Sequence, residues 1–251
     1  MDYFTADLHL GHTRIVRYCR RQRFLSDADR ALLEGYARVG LDPWTQPWKG
    51  DPQTVAAMDA ALIGAINAVV RPEDRLWIIG DFAFARDAAG LRAYREAIAC
   101  QQVHLIWGNH DRRSWCRPAF TSCTEAVMLH VHPQGTFTEE QVQEGLERRD
   151  PLFTHPAFRR QSQKVFLSHY AHVIWPGSHA GVFHLYGHSH GNLEPWREKH
   201  MPNALSMDVG VDVQGYAPVS FAQVAAMMAA KRASHPPHTV DHHRACGPDD
   251  E

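Results

Sequence analysis

The chain predicts an α/β sandwich of mixed β-sheets flanked by α-helices. Short apolar runs of β-like composition recur along it, at residues 3–6, 76–79, 103–107, 165–167 and 182–186. Segments of helical period separate the first three runs, which argues for right-handed crossovers and a substantially parallel start to the sheet. Each run also ends on a small polar motif: Asp7-Leu8-His9, Gly80-Asp81, Gly108-Asn109-His110-Asp111, Ser168-His169 and Gly187-His188-Ser189-His190. A strand delivers its last residues to the carboxyl edge of its sheet, where open α/β folds place ligands. Groups scattered over the sequence are thereby expected to converge in space.

After the first motif come Gly11, His12, Thr13 and Arg14, then a polar stretch with Pro43, Trp44, Pro47, Trp48 and Gly50, read as loops and a short helix over the sheet edge. From Thr54 the residues Val55, Met58, Leu62, Ile66 and Val69 recur at three and four, the spacing of a helix buried on one face. Arg71-Pro72 stops it. Leu91, Tyr94 and Ile98 place a second helix over residues 88–100. The runs at 165, 182 and 204 are separated by turn-like segments, which predicts hairpin-like, antiparallel additions. Residues 133–163 read as an insertion, with a capping box at Thr138-Glu139-Glu140-Gln141 opening a short helix. A second capping box at Ser220-Phe221-Ala222-Gln223 opens a last helix with Phe221, Val224, Met227 and Met228 on its apolar face, ending near Lys231. One domain over residues 1–232 is expected, followed by a disordered His/Pro-rich tail over 233–251.

Basic and acidic side chains nearly balance, 26 against 28, for a formal charge of −2, so composition carries no signature of nucleic-acid or membrane affinity. An anionic substrate must be attracted locally. Cys19, Cys100, Cys116, Cys123 and Cys246 are odd in number and form no Cys-x-x-Cys pair, so neither a disulfide framework nor a zinc ribbon is indicated. A reducing, cytoplasmic setting is the simpler expectation. The first strand starts within two residues of Met1, which leaves no room for a signal peptide, and no apolar run approaches the roughly 20 residues of a membrane span.

Carboxylates, imidazoles and an amide oxygen without a thiolate make a borderline-hard donor set, suited to Mn, Fe or Zn more than to Cu(I) or an iron–sulfur cluster. Two divalent ions, two ligand carboxylates and a shared hydroxide leave a net charge of about +1, which favours a phosphate over a neutral amide. Ions roughly 3.5–4 Å apart can activate the water between them while holding phosphoryl oxygens, so phosphoester hydrolysis is the leading chemistry.

The five motifs together resemble the calcineurin-like metallophosphoesterase superfamily, over Met1 to about Lys231. The segment Ser206-Met207-Asp208-Val209-Gly210-Val211-Asp212 resembles its small bacterial phosphohydrolase branch. The resemblance implies two divalent ions, Mn first, with Fe, Zn, Ni or Mg as alternatives. Asp7, His9 and His190 would hold one; Asn109, His169 and His188 the other; Asp81 would bridge both. His110 matches the family's non-ligand histidine that stabilises the phosphoryl oxygens and protonates the leaving group. The implied reaction is in-line attack by a bridging hydroxide on a small phosphomonoester or phosphodiester. The chain departs from the pattern after Gly80-Asp81: many members place there a further Asp that orients the catalytic histidine, whereas here Phe82, Ala83, Phe84 and Ala85 follow. Asp111 and Asp87 are the candidates to replace it.

His12, Arg14 and Arg112 are candidates for phosphate contact. Arg17 and Arg113 stand equally close to metal motifs in sequence, and a solvated surface is the alternative for all four arginines. His172, His179 and His184 read as surface or core-satisfied, and His235, His238, His242 and His243 as parts of a solvated tail. Trp44, Trp48 and Trp175 read as core or rim packing, against stacking on a base. Two other functions fit the same resemblance, a nuclease of the superfamily and a non-catalytic scaffold, although a scaffold typically lacks ligands that are all present here. Substrate choice is expected to lie in the loops 20–53 and 133–163.

Overall fold

Period-two alternation along the early strands divides their side chains between two cores. A computed structural model describes residues 1–234; the histidines read as tail, from His235 onward, lie outside the described residues. Phe4 of β1 (Asp2–Thr5), Trp77 and Ile79 of β2 (Arg75–Ile79) and Ile106 of β3 (Gln102–Ile106) share one face and pack on Leu129, Val165, Leu167, Phe183, Leu185 and Met207. Leu76, Ile78, Val103 and Leu105 take the opposite face and pack on Met58, Leu62 and Ile66. The first core lies between two sheets; the second lies between a sheet and a helix.

β4 (Ser122–Thr124) and β10 (Val219–Ser220) complete the first sheet, ordered β10-β1-β2-β3-β4, with β1 to β4 parallel and β10 antiparallel. The second sheet runs β6-β5-β7-β8-β9, from β5 (Ala126–His132), β6 (Gly135–Thr138), β7 (Gln163–Ser168), β8 (Phe183–Tyr186) and β9 (Ser206–Asp208). An α/β sandwich of two mixed sheets results. The expected antiparallel character of the later strands is corrected. β7 with β8 and β8 with β9 are parallel, and the antiparallel pairs are β5 with β6 and β5 with β7. The segments 169–182 and 187–205, which read as turns, reach the dozen or so residues that a parallel crossover needs.

Helices flank the sheets. α1 (Ile15–Tyr18), α2 (Asp27–Arg38) and α3 (Pro52–Val69) follow β1, with Ser26 and Asp51 accepting the Asp29 and Thr54 N–H groups at the starts of the two longer ones. α2 is longer than the short helix expected there; only Asp29 and Leu33 of it are buried, so its thin apolar stripe leaves little periodic signal in the sequence. α4 (Ala88–Glu96) stops short of the expected Cys100; Arg95 bonds the carbonyls of Ile98, Cys100 and Gln101, so this stretch returns to the sheet as a turn. α5 (Arg113–Cys116) follows β3.

Residues 133–163 hold β6 and then α6 (Glu139–Glu147), α7 (Pro151–Thr154) and α8 (Pro156–Gln161). The Thr138/Gln141 capping box is formed in both directions, and Phe137, Phe153 and Phe158 pack together beneath it. This segment also reaches the first sheet, since Thr136 donates to Asp2 at 2.6 Å and Arg75 donates to the Thr136 carbonyl at 3.0 Å. α9 (Glu194–His200) lies in the last crossover, and α10 (Phe221–Ser234) closes the inter-sheet core with Val224 and Met228, leaving Met227 exposed. No helix among the described residues is long and apolar enough to cross a membrane.

Candidate metal centre

The chain continues past the ends of β1 and β2 in close register: Asp7, His9 and Leu10 donate backbone N–H bonds to the carbonyls of Gly80, Asp81 and Phe82 at 3.1, 2.9 and 3.1 Å. Five of the seven expected ligands then sit in the left-handed region, with φ of 57° at Asp7, 51° at His9, 56° at Asp81, 68° at His188 and 48° at His190. For L residues this costs about 1–2 kcal/mol each. Such strain persists where surrounding bonds over-determine it, and it clusters at functional sites.

Those bonds are present. Asp111 accepts the N–H groups of Gly108, Asp81 and Phe82 at 2.8, 3.0 and 3.0 Å, locking the loops after β2 and β3 together. Asp208 does the same for the last motif, accepting from Ser189 Oγ and the N–H groups of Gly191 and Gly210. Two glycines are required by close approach. A Cβ on Gly108 would lie 2.2 Å from Asp81 Oδ1, and one on Gly187 would lie 2.7 Å from Asp7 Oδ2.

The ligand atoms of Asp7, His9 and His190 lie within 4.8 Å of one another, as do those of Asp81, His169 and His188. Asp81 Oδ2 stands 3.5 Å from His9 Nε2 and 3.6 Å from His169 Nε2, between the two groups. Asn109 Oδ1 is 3.2 Å from His169 Nε2. All seven expected ligands are thus gathered at the carboxyl ends of β1, β2, β3, β7 and β8.

Two observations test whether a cation fits. His9 is buried, yet neither of its ring nitrogens has a hydrogen-bond partner among the described residues. Buried polar atoms without partners are rare and call for a missing ligand. His169 Nδ1 donates to the Ile79 carbonyl at 2.8 Å, which leaves Nε2 as an acceptor facing the Asn109 oxygen. With the Asn109 oxygen turned toward it, this pair of acceptors suits a cation held by both.

Burial shapes the charges. It pushes Asp7 up to about 8, against the opposing pull of His190. Burial drives His9 well below the ordinary imidazole range and lowers His169, which in both rings favours the neutral form that binds metal. Burial also lowers His190, but bonds to Asp212 and Cys19 and the charge of Asp7 outweigh it and hold this ring at about 10. A cation at Asp7 and His190 would therefore displace protons as it bound.

No protein-family profile and no curated protein sequence matches the chain. A solved structure, that of the protein of unknown function AQ665 from Aquifex aeolicus, is similar with a TM-score of 0.55 and 16% identity, over 90% of this chain and 98% of that one. At that identity the likeness carries the fold alone.

The expected catalytic histidine is held at its backbone, where the His110 N–H donates to Asp81 Oδ1 at 2.9 Å. Neither candidate carboxylate orients its ring. Asp111 is spent on three backbone amides, and Asp87 caps α4 through the Gly90 N–H. An aromatic ring stands there instead: Phe84 lies 4.9 Å from His110 and stacks on His12 at 3.8 Å and 13°. His12 is lowered to about 4 by burial and then by His110. Arg14 lies exposed at the start of α1, close enough to lower His12 further. Arg112 is directed onto the Trp115 ring at 4.4 Å, Arg17 onto the Gln46 carbonyl and Arg113 onto Glu125, so none of these three is gathered with the ligands. Trp48 and Trp175 are buried and bonded to backbone carbonyls, as packing residues are.

Three participants were not found from the sequence. Arg21 lay inside a stretch read as loop; it is fully buried and bonds Asp212, whose carboxylate accepts from His190 Nδ1 at 2.7 Å. Cys19 stands beside the expected donor set, its sulfur, a His190 nitrogen and an Asp212 oxygen lying within 4.8 Å of one another. Tyr170, half exposed, sets its ring 4.6 Å from that of His188. A cleft of about 680 Å³ is lined by Arg75, Trp77, His104, Thr136 and Glu139 and includes none of the ligands. The histidine cluster is the candidate site, because it combines unpaired buried nitrogens with strained backbone, features that cleft volume does not report.

Proposed function

We propose that the chain is a metal-dependent phosphoester hydrolase of the calcineurin-like metallophosphoesterase type. The observation that carries this reading is the position of Asp81 Oδ2 between His9 and His169, which makes one carboxylate common to two three-residue groups. Asp7, His9 and His190 would hold one divalent cation, Asn109, His169 and His188 a second, and Asp81 both. When bound, such a pair supplies an activated water and neutralises phosphoryl oxygens.

The chain's own residues account for the remainder. Asp81 orients the His110 backbone through its other oxygen, so the proton donor and the shared ligand are placed by one side chain. His110 is exposed, as a donor to a leaving-group oxygen must be, and Phe84 packs beside its ring at 4.9 Å. His12 and Arg14 stand on the same rim and are suited to a phosphate oxygen.

The test is a panel of divalent metals, Mn²⁺ first, against aryl phosphate mono- and diesters. Turnover with at least one ester and its loss in Asp81→Asn are expected. Stoichiometric metal uptake with no hydrolysis of either ester class would reject the reading.

A further inference from the structure

Arg21 is a guanidinium with no exposure to solvent, a rare and costly placement that no step of the proposed chemistry uses. Nε and Nη2 donate to the two oxygens of Asp212, both at 2.8 Å. Nη1 and Nη2 also donate to the carbonyls of Leu8 and Asp7, within the first motif. Both carboxylate oxygens of Asp212 are thereby engaged, and Oδ2 carries the His190 bond as well. Cys19 sits two residues before Arg21 and completes a triad with His190 and Asp212.

His190 is therefore common to two ligand sets of different chemistry. Asp7, His9 and His190 offer a carboxylate and imidazoles; Cys19, His190 and Asp212 add a sulfur and would favour thiophilic ions such as zinc. Arg21 takes one lone pair on each Asp212 oxygen and His190 a second on Oδ2, so an ion in the second set would have to share this carboxylate with a buried guanidinium and lie directly against its charge. Bidentate pairing fits a planar guanidinium and no other side chain, so the choice of arginine is specific to this task.

We propose that Arg21 is a positioning residue that withholds Asp212 from metal, commits His190 to Asp7 and His9, and keeps the Cys19 thiol outside the coordination sphere. This rests on the metal-binding reading above. In consequence Arg21 guards the site against thiophilic ions while acting only through Asp212 and His190.

The experiment titrates cobalt(II) into metal-free full-length protein and reads both stoichiometry and the near-ultraviolet thiolate-to-cobalt charge-transfer band. Wild type should bind two equivalents without the band, and Cys19→Ser should reproduce its spectrum and stoichiometry. Arg21→Met should develop the band, and Arg21→Met with Cys19→Ser should lose it. Arg21→Lys, which keeps the charge but offers a single donor group, should develop it in part and serves if the methionine variant does not fold, as judged by circular dichroism. A band in wild type overturns the proposal, as does its absence from a folded, cobalt-binding Arg21 variant. A wild type that takes up no cobalt rejects the metallohydrolase reading itself, a failure recognisable from stoichiometry alone.

Discussion

At Gly108 a single methyl group decides whether the candidate site can close. Its missing Cβ would stand 2.2 Å from Asp81 Oδ1 and 2.4 Å from the Asp81 nitrogen, so any side chain must push Asp81 out of its place between His9 and His169. Gly108→Ala is expected to leave a folded protein that binds fewer than two metal equivalents and turns over about 10²-fold more slowly, the effect of a misplacement near 1 Å. Metal analysis alongside kcat/KM on an aryl phosphate checks it; full activity would show that Asp81 has room to move. His110→Ala addresses the chemistry instead of the placement. With its backbone bond to Asp81 retained, it should keep both metals and lose about 10²–10⁴ in kcat, least for esters whose leaving group needs no proton.

Among elements, the loops after β2 and β3 are joined by one carboxylate. Asp111→Ala would leave the amides of Gly108, Asp81 and Phe82 without their acceptor, and should lower unfolding free energy by roughly 2–4 kcal/mol, read from urea midpoints. Thr138→Ala, which breaks only the exposed capping box of α6, is expected to cost about 1 kcal/mol and to spare activity. Comparable losses for the two would mean that Asp111 is better solvated than its bonds imply. At this scale the sequence was readable wherever period and caps are local. The strand runs and the Thr138 and Ser220 caps follow from neighbours within four residues. Strand direction in the second sheet was not readable, because β7, β8 and β9 look alike whichever way they pair. Their connections decide it, and those carry no periodic signal.

For the molecule as a whole, buried neutral histidines make acid the vulnerable side. His184 is fully buried, with Nδ1 donating to the Phe166 carbonyl and Nε2 accepting the His172 N–H, and burial lowers it to about 3. His104, stacked on Trp77, is lowered by burial to about 4. The unfolded chain takes up these protons first, near pH 6.5, so the stability they contribute is complete above that value and is lost progressively as pH falls toward 3–4. His184→Gln should flatten the dependence of the urea midpoint on pH between about 6.5 and 3, whatever it does to stability at neutral pH. An unchanged slope would show that the imidazole accepts its proton within the fold.

Sequence alone determined which carboxylates, imidazoles and amide oxygen stand at strand ends, and hence that they meet at one edge of an α/β sandwich. That much is encoded locally, as side-chain periods of two and about 3.6 and as turn residues at fixed offsets. Tertiary structure alone decided what surrounds those donors. Arg21 meets Asp212 across 191 positions, Phe84 takes the place expected of a carboxylate beside His110, and Cys19 arrives next to His190 from a stretch without a motif. Such contacts arise from packing between distant segments, where shape and unsatisfied hydrogen bonds select the partner, and no local pattern records the choice.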